Sequence, residues 1–219
     1  MRALSPFRGL NLKARLTQPA DEWWDRRLRV RTFGYHPGSG RPGDRDWFMH
    51  YIPSSYRDVF HALRLGGLGP GDVVTDLGSG LGRVVFAAAW AGAGRAEGVE
   101  LIGWLAAAAE ANRIRSTVNT REIAFTCADA RTHDFAATTL LYMFHPFGEC
   151  VVAEVLEKAR ADRRRALASH PLRIVYVNPI ADPVLAASGW LRHLETVPAL
   201  PQRWSSADHY PTSLWRSID

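Results

Sequence analysis

The run Val73-Val74-Thr75-Asp76-Leu77-Gly78-Ser79-Gly80-Leu81-Gly82-Arg83 constrains this chain more than any other segment. A short apolar stretch containing one acid breaks at three glycines on alternate positions, and a longer apolar stretch begins at once. Val73–Leu77 suits a buried strand, and the glycines let the backbone turn through conformations that side chains resist. Leu81–Ala91 is helix-sized. A strand that turns straight into a helix opens a β-α-β unit, which needs parallel strands beside it and helices over the sheet.

Such partners follow in order. Ala96–Val99 reads as a second strand and Gly103–Ile114 as an Ala-rich helix. Ile123–Cys127 and Thr139–Phe144 read as strands, Val151–Ala168 as a helix, and Ile174–Val177 as a fifth strand. A short helix near Pro183–Ala187 precedes two extended runs, His193–Val197 and Thr212–Ile218, which suit antiparallel pairing. Ahead of the first strand, Ala20–Val30 reads as a helix and residues 34–43 as a Gly/Pro loop. A second helix, with Pro53 in its first turn, places Val59, Phe60 and Leu63 at helical spacing. No internal repeat interrupts this order, and strands alternating with helices imply a parallel sheet covered on both faces.

The glycine loop is selective in what it suits. A dinucleotide site would read G-x-G-x-x-G; here the spacing is G-x-G-x-G, with Arg83 where the last glycine would stand. The Gly-Lys-Ser/Thr ending of a nucleoside-triphosphate loop is missing as well. Asp76 at the strand end would repel a pyrophosphate but accept hydrogen bonds from an ammonium group. The loop therefore fits a cationic amino-acid ligand better than a phosphate.

Composition narrows the setting. The 219 residues are 47% apolar and 22% charged, in keeping with one globular domain or one domain with a small appendage. Two cysteines, Cys127 and Cys150, cannot staple a fold and are expected to be buried small hydrophobes. The opening residues lack a secretory apolar run, and no stretch approaches a membrane span, so a cytoplasmic protein with no membrane partner is expected. Residues 1–46 hold ten basic and five acidic side chains, which is the whole net charge of +5; the rest is neutral. His36, His50, His61, His133, His170, His193 and His209 show no metal-ligand spacing, and no metal is expected.

Asp76-Leu77-Gly78-Ser79-Gly80-Leu81-Gly82-Arg83 resembles the first motif of class I S-adenosylmethionine-dependent methyltransferases. The next landmarks fall where that family would place them. Glu100, in Gly98-Val99-Glu100-Leu101, is similar to the acid that binds both ribose hydroxyls. Asp129, in Cys127-Ala128-Asp129-Ala130, is similar to the acid that contacts the adenine amino group. Leu141-Tyr142-Met143-Phe144-His145-Pro146-Phe147-Gly148 stands where the family carries its acceptor-facing motif. Tyr51-Ile52-Pro53-Ser54-Ser55-Tyr56 resembles the tyrosine-proline lead-in of several seven-strand lysine methyltransferases. The similarity spans about residues 47–180. Related chains carry Asn-Pro-Phe where this one has His145-Pro146-Phe147, which exchanges an amide carbonyl for a titratable ring.

The resemblance implies an α/β fold: a Rossmann-like, doubly wound, mostly parallel seven-stranded sheet with an antiparallel last strand pair and an N-terminal helical cap. It implies a basic, Trp/Arg-rich extension over residues 1–70 and a cofactor-binding domain over residues 71–219. S-adenosylmethionine, with S-adenosylhomocysteine as product, would lie along Asp76, Gly78, Ser79, Gly80, Gly82, Glu100, Leu101, Asp129, Ala130 and Phe144. The acceptor would meet Tyr51, His145, Pro146 and Phe147. On resemblance the acceptor is an amine, in a small molecule or a protein lysine.

Several alternatives remain open at this level. His145 either relays or orients at the acceptor, or is a neutral histidine bonded at the sheet edge. Tyr51 and Tyr56 either line the methyl pocket or belong to the core, and Trp104 covers adenine or packs on the sheet. Asn178 is a polar contact in the same crevice or a turn starter. The N-terminal Trp/Arg cluster is a cap, or the arm of an RNA methyltransferase stacking on bases and pairing with phosphates. A non-methylating descendant that keeps the cofactor is the remaining rival, while a dehydrogenase is disfavoured by the glycine spacing.

Overall fold

The computed structural model describes residues 14–34, 51–201 and 210–218. Seven strands form one sheet: β1 (Val73–Leu77), β2 (Arg95–Glu100), β3 (Ile123–Cys127), β4 (Leu140–Phe144), β5 (Arg173–Val177), β6 (Leu191–Val197) and β7 (Thr212–Ser217). Their order is β3-β2-β1-β4-β5-β7-β6. β7 alone runs antiparallel, between β5 and β6. The order reverses between β1 and β4, so a crevice opens at their carboxyl ends.

Six helices accompany the sheet: α1 (Ala14–Leu28), α2 (Tyr56–Leu65), α3 (Arg83–Trp90), α4 (Gly103–Arg115), α5 (Glu149–Arg165) and α6 (Asp182–Ala187). Alternation along each strand sorts the core into two halves. Val74, Leu140, Tyr142, Val175 and Leu214 pack with Leu28, Val59, Leu63 and Phe86 from α1, α2 and α3. Leu77, Leu141, Met143, Ile174 and Tyr176 point the other way, onto Val152, Val155 and Leu156 of α5 and Leu185 of α6. Both faces of the central strands β1, β4 and β5 are thus buried, which is why they read as apolar runs. No helix among the described residues is long and apolar enough to cross a membrane.

Element ends differ from the sequence expectation for local reasons. α1 begins at Ala14 and carries Pro19 inside it, rather than beginning at Ala20. α2 begins at Tyr56, beyond Pro53. Ser55 caps it, accepting from the Asp58 amide at 3.1 Å while donating to the Asp58 carboxylate at 2.7 Å. α3 starts two residues later than expected because Gly82, at φ 89°, holds the left-handed position before it. α5 stops at Arg165 because Leu167 turns left-handed at φ 51°. Cys127 and Cys150 are exposed, not buried: one ends an outer strand and the other lies in the first turn of α5. Residues 35–43 of the expected loop lie outside the described residues, as do His36, His50 and His209.

Candidate functional site at the carboxyl ends of β1, β2 and β4

The glycine loop is built to leave its amides occupied. Gly78 and Ser79 both donate to the Val99 carbonyl, at 2.9 and 3.1 Å, and Gly82 donates to the Ser79 carbonyl at 2.8 Å. Gly80 donates to Glu100 Oε2 at 2.8 Å. Gly78, Gly80 and Gly82 have φ of 73°, 54° and 89°, a region that side chains resist. A β-carbon at Gly80 would lie 2.0 Å from the Tyr51 ring, and one at Gly78 would lie 2.9 Å from Pro146. The turn is therefore packed between the segment preceding α2 and the segment following β4.

Two carboxylates flank this turn from neighbouring strands. Asp76 is buried, its carboxylate takes no hydrogen bond among the described residues, and burial raises its pKa well above the usual range, with Glu100 adding to the rise. Glu100, also buried, accepts the Gly80 amide on one oxygen and the Ile102 amide on the other at 2.8 Å. Ser79 Oγ is buried with no hydrogen-bond partner among the described residues. The local chemistry is negative, with a loop whose donors are spent, and this suits a cationic ligand over a phosphate.

Beyond the end of β3, Asp129 caps the 3-10 turn Ala130–Thr132 and is gripped by Arg131, whose Nε lies 3.0 Å from both carboxylate oxygens. This pairing holds the Asp129 carboxyl below its ordinary range. Ala130 packs at the edge of the core beside it. Leu101 and Trp104 are each about half exposed, so Trp104 is not a core residue of the sheet.

On the β4 side, His145 is 4% exposed, adopts φ 35°, and places Nδ1 3.0 Å from the Tyr176 hydroxyl. The Ala181 amide donates to that same hydroxyl at 3.2 Å, leaving the phenolic hydrogen for Nδ1. Burial lowers the His145 pKa, partly offset by Glu149, so the ring is neutral near pH 7. Asn178, at the end of the adjacent strand β5, also turns left-handed at φ 53°. Two such residues side by side at strand ends mark a strained rim. Phe147 is buried in the core beside Leu77 and Met143, whereas Phe144 is half-buried and faces Tyr210 with ring centroids 5.2 Å apart.

Tyr51 is half-buried and its hydroxyl donates to the Thr32 carbonyl at 2.8 Å, while Tyr56 is fully buried and donates to Asp25 at 2.9 Å. Sequence reasoning missed what joins these pieces. Arg83, read only as a displaced glycine, is 3% exposed and donates to Thr32 Oγ1, Asp21 and the Ser54 carbonyl at 2.7, 3.1 and 2.7 Å. Its guanidinium also lies 4.7 Å above the Tyr56 ring. Asn112, a lone buried amide in the Ala-rich helix α4, donates to the carbonyls of Leu81 and Arg31 and accepts the Arg31 amide. A buried amide among alanines was the one visible signal. Among the described residues no group of three or more His, Cys, Asp or Glu side chains could hold a metal.

No protein-family model matches the chain, and no curated protein matches it by sequence. Its architecture is shared with many solved structures. An RNA methyltransferase from Salinibacter ruber in complex with S-adenosyl-L-homocysteine is 21% identical with a TM-score of 0.51, over 76% of this chain and 92% of that one. TrmN from Thermus thermophilus is 16% identical with a TM-score of 0.58, over 73% of this chain and 48% of that one. Magnesium protoporphyrin IX methyltransferase from Synechocystis, with bound SAM, is 16% identical with a TM-score of 0.53, over 73% and 76%. The chain thus spans about half the length of the Thermus protein. At these identities the likeness establishes the fold, which is the one the sequence motifs led us to expect.

Proposed function

We propose that this chain is a class I S-adenosylmethionine-dependent methyltransferase, with residues 71–219 binding the cofactor and residues 1–70 capping the site. One observation carries the reading: Asp76 and Glu100 are buried acids at the ends of adjacent parallel strands, around a glycine turn whose amides are already used. The site thereby disfavours a phosphate, and no counter-charge to Asp76 appears among the described residues. The ammonium and sulfonium of S-adenosylmethionine would supply it, and the acceptors Asp76, Glu100 and the Ser79 hydroxyl fit the cofactor's donors.

When bound, the cofactor would supply an electrophilic methyl group, which an acceptor lone pair would attack in line as S-adenosylhomocysteine leaves. The chain's own contribution is orientation and exclusion of water. Asp76 accepts from the ligand ammonium. Glu100 offers acceptor positions to the ribose hydroxyls, since a carboxylate has about four in all. Asp129, kept anionic by Arg131, serves the adenine amino group, with Leu101 and Ala130 beside it. Tyr51 lies over Gly80 and closes the turn from above. Pro146, against Gly78, sets the distance between the cofactor side and the acceptor side. His145, neutral and held by Tyr176, orients the acceptor, and Phe144 with Tyr210 forms an aromatic wall beside it. An amine suits this arrangement best, because an acidic crevice draws it in.

A second reading, an RNA acceptor, draws on the outer side of α1, where Trp23 is 53% exposed beside exposed Arg26 and Arg27. Two of the structural neighbours are named as RNA or tRNA methyltransferases. Salt-dependent RNA binding that is lost in the Trp23→Ala, Arg26→Gln, Arg27→Gln variant would favour it.

The deciding experiment is thermal unfolding with S-adenosylhomocysteine, with NADH and ATP as controls. A ligand at about a hundred times its dissociation constant adds roughly 2.7 kcal/mol. A shift with S-adenosylhomocysteine alone is expected, and no shift at millimolar ligand would overturn the reading. Binding without methyl transfer to any amine, small-molecule or RNA acceptor would leave the non-methylating rival in its place.

A further inference from the structure

Arg31 and Thr32 belong to no helix or strand, yet side chains hold the main-chain amide and carbonyl of both. The Arg31 amide donates to Asn112 Oδ1 at 2.8 Å, and the Arg31 carbonyl accepts from Asn112 Nδ2 at 3.0 Å. The Thr32 amide donates to Asp25 at 2.8 Å, and the Thr32 carbonyl accepts from the Tyr51 hydroxyl at 2.8 Å. The Thr32 hydroxyl completes the set, accepting from Arg83 Nε at 2.7 Å and donating to Asp25 at 2.6 Å. Irregular backbone usually turns such groups to water at the surface. Here Thr32 is fully buried, and its holders come from α1, α3 and the segment before α2.

This pinned stretch lies against the glycine turn. A β-carbon at Gly34 would come within 3.3 Å of the Leu81 side chain and 3.8 Å of the Tyr51 ring. Asn112 donates to the Leu81 carbonyl at 2.9 Å, and the Leu81 amide hydrogen-bonds the Tyr51 hydroxyl. That hydroxyl therefore links the turn to the Thr32 carbonyl, while the ring fills the space above Gly80. Burial pushes the phenol well above its ordinary pKa, so it keeps its proton. Tyr51 offers a ligand its ring rather than its hydroxyl.

Arg83 fixes both sides of this seat. It is the first residue of α3, directly after the turn, and it is buried. Its Nε reaches Thr32, whose carbonyl the Tyr51 hydroxyl binds, and its Nη1 reaches the Ser54 carbonyl, on the backbone just beyond Tyr51. Asp21 and Asp25, at 3.1 and 4.0 Å, supply the counter-charge. A planar guanidinium holds several acceptors in one fixed geometry, which the point charge of a lysine ammonium does not.

From the pinned Arg31–Thr32 backbone, the Tyr51 bridge to Leu81 and the Arg83 fork, we infer that Arg83 is a positioning residue. Through Thr32 and Ser54 it seats Tyr51 on the glycine turn, and the seated ring keeps the turn in the shape that receives the cofactor. The effect on binding rests on the cofactor reading; the seating itself does not.

Two measurements on the full chain test this, in wild type, Arg83→Lys, Thr32→Val and Thr32→Ser. The first is hydrogen exchange without ligand, read by mass spectrometry. Peptides covering Leu77–Gly82 should exchange about fivefold faster in Arg83→Lys and Thr32→Val, as expected for loss of one hydrogen bond. Thr32→Ser keeps the hydroxyl and should match wild type, and peptides of α5 should be unchanged throughout. An unchanged rate at Leu77–Gly82 would overturn the seating, and so would faster exchange along the whole chain, which marks a purely structural role. The Thr32 pair decides the matter if Arg83→Lys does not fold. The second is calorimetric titration with S-adenosylhomocysteine. Thr32→Val should raise Kd about tenfold, as expected for one charge-assisted hydrogen bond, and Thr32→Ser should restore it. Added to Tyr51→Ala, Thr32→Val should cost no further affinity, because its effect passes through Tyr51. Losses that multiply would overturn the assignment. A wild-type chain that binds no S-adenosylhomocysteine removes the cofactor reading, and the exchange rates then decide the seating alone.

Discussion

The amide of Gly80 donates to Oε2 of Glu100 at 2.8 Å, which ties the turn after β1 to the end of β2. The other oxygen of the same carboxylate accepts the Ile102 amide, so one side chain shapes two backbone segments. Glu100→Ala should therefore do more than remove a ligand contact. It leaves two amides of a buried site unpaired, at about 1–3 kcal/mol each. We expect urea unfolding to show a loss of about 2 kcal/mol or more, together with weaker S-adenosylhomocysteine binding. An unchanged unfolding midpoint would show that the turn holds itself.

Gly80 and Tyr51 should behave as one unit. Gly80→Ala puts a methyl group 2.0 Å from the Tyr51 ring and forces alanine to φ 54°, so a loss of about 2–4 kcal/mol is expected. Tyr51→Ala removes the collision but not the backbone strain. A double-mutant cycle in denaturant should give a coupling of about 1–3 kcal/mol, and strict additivity would contradict the packing.

Asp76 should stabilise the ligand complex at the expense of the free protein. Its folded pKa lies above the unfolded value, so the folded state holds the proton more tightly. Stability then falls as pH rises from the unfolded value through the folded one. Asp76→Asn should flatten that slope and unfold no more easily than wild type at pH 8. Its affinity for S-adenosylhomocysteine should drop about tenfold or more, as expected for losing a charged acceptor. Calorimetric titration of both proteins at pH 8 checks the affinity, and an unchanged value would remove Asp76 from the site.

His145 gives the opposite pH slope. Its folded pKa is lowered, so the unfolded chain takes the proton first as pH falls. Stability is full above about pH 6.5 and declines below it until the folded ring also protonates. His145→Asn should shrink this acid-side decline while tolerating the left-handed backbone at φ 35°. Urea midpoints between pH 8 and pH 5 measure the difference, and an identical decline in the variant would assign the effect to another group.

Much of this was readable along the chain, for reasons of range. β1, β4 and β5 declared themselves as apolar runs because both faces of the sheet are covered there, and Asp76, Glu100 and Asp129 stood out as acids at strand ends. The Ser55 and Asp58 pair was also a readable helix start, although Pro53 drew the expected boundary at least three residues early. What escaped was contact across distance. The Asn112 side chain reaches Arg31, 81 residues away, and Arg83 reaches Asp21 across 62. Spacing within a segment carries no information about such pairs. The exposure of Cys127 was hidden for a related reason, since only the strand order puts β3 at the sheet edge.

The attachment of α1 has a consequence for how the chain is made. Leu28 is buried, and its carbonyl accepts from Ser116 Oγ, 88 residues later, and from the Thr117 amide. At synthesis rates of about 5–20 residues per second, that docking surface is missing for roughly 5 to 20 s after Leu28 is joined to the growing chain. Trp24 meets Phe60 and Trp90 sooner, at ring-centroid distances of 4.8 and 4.7 Å, but the end of α1 stays unanchored until the segment after α4 is made. A nascent chain paused before residue 112 should therefore be a good client for chaperones, and one released after residue 117 a poorer one.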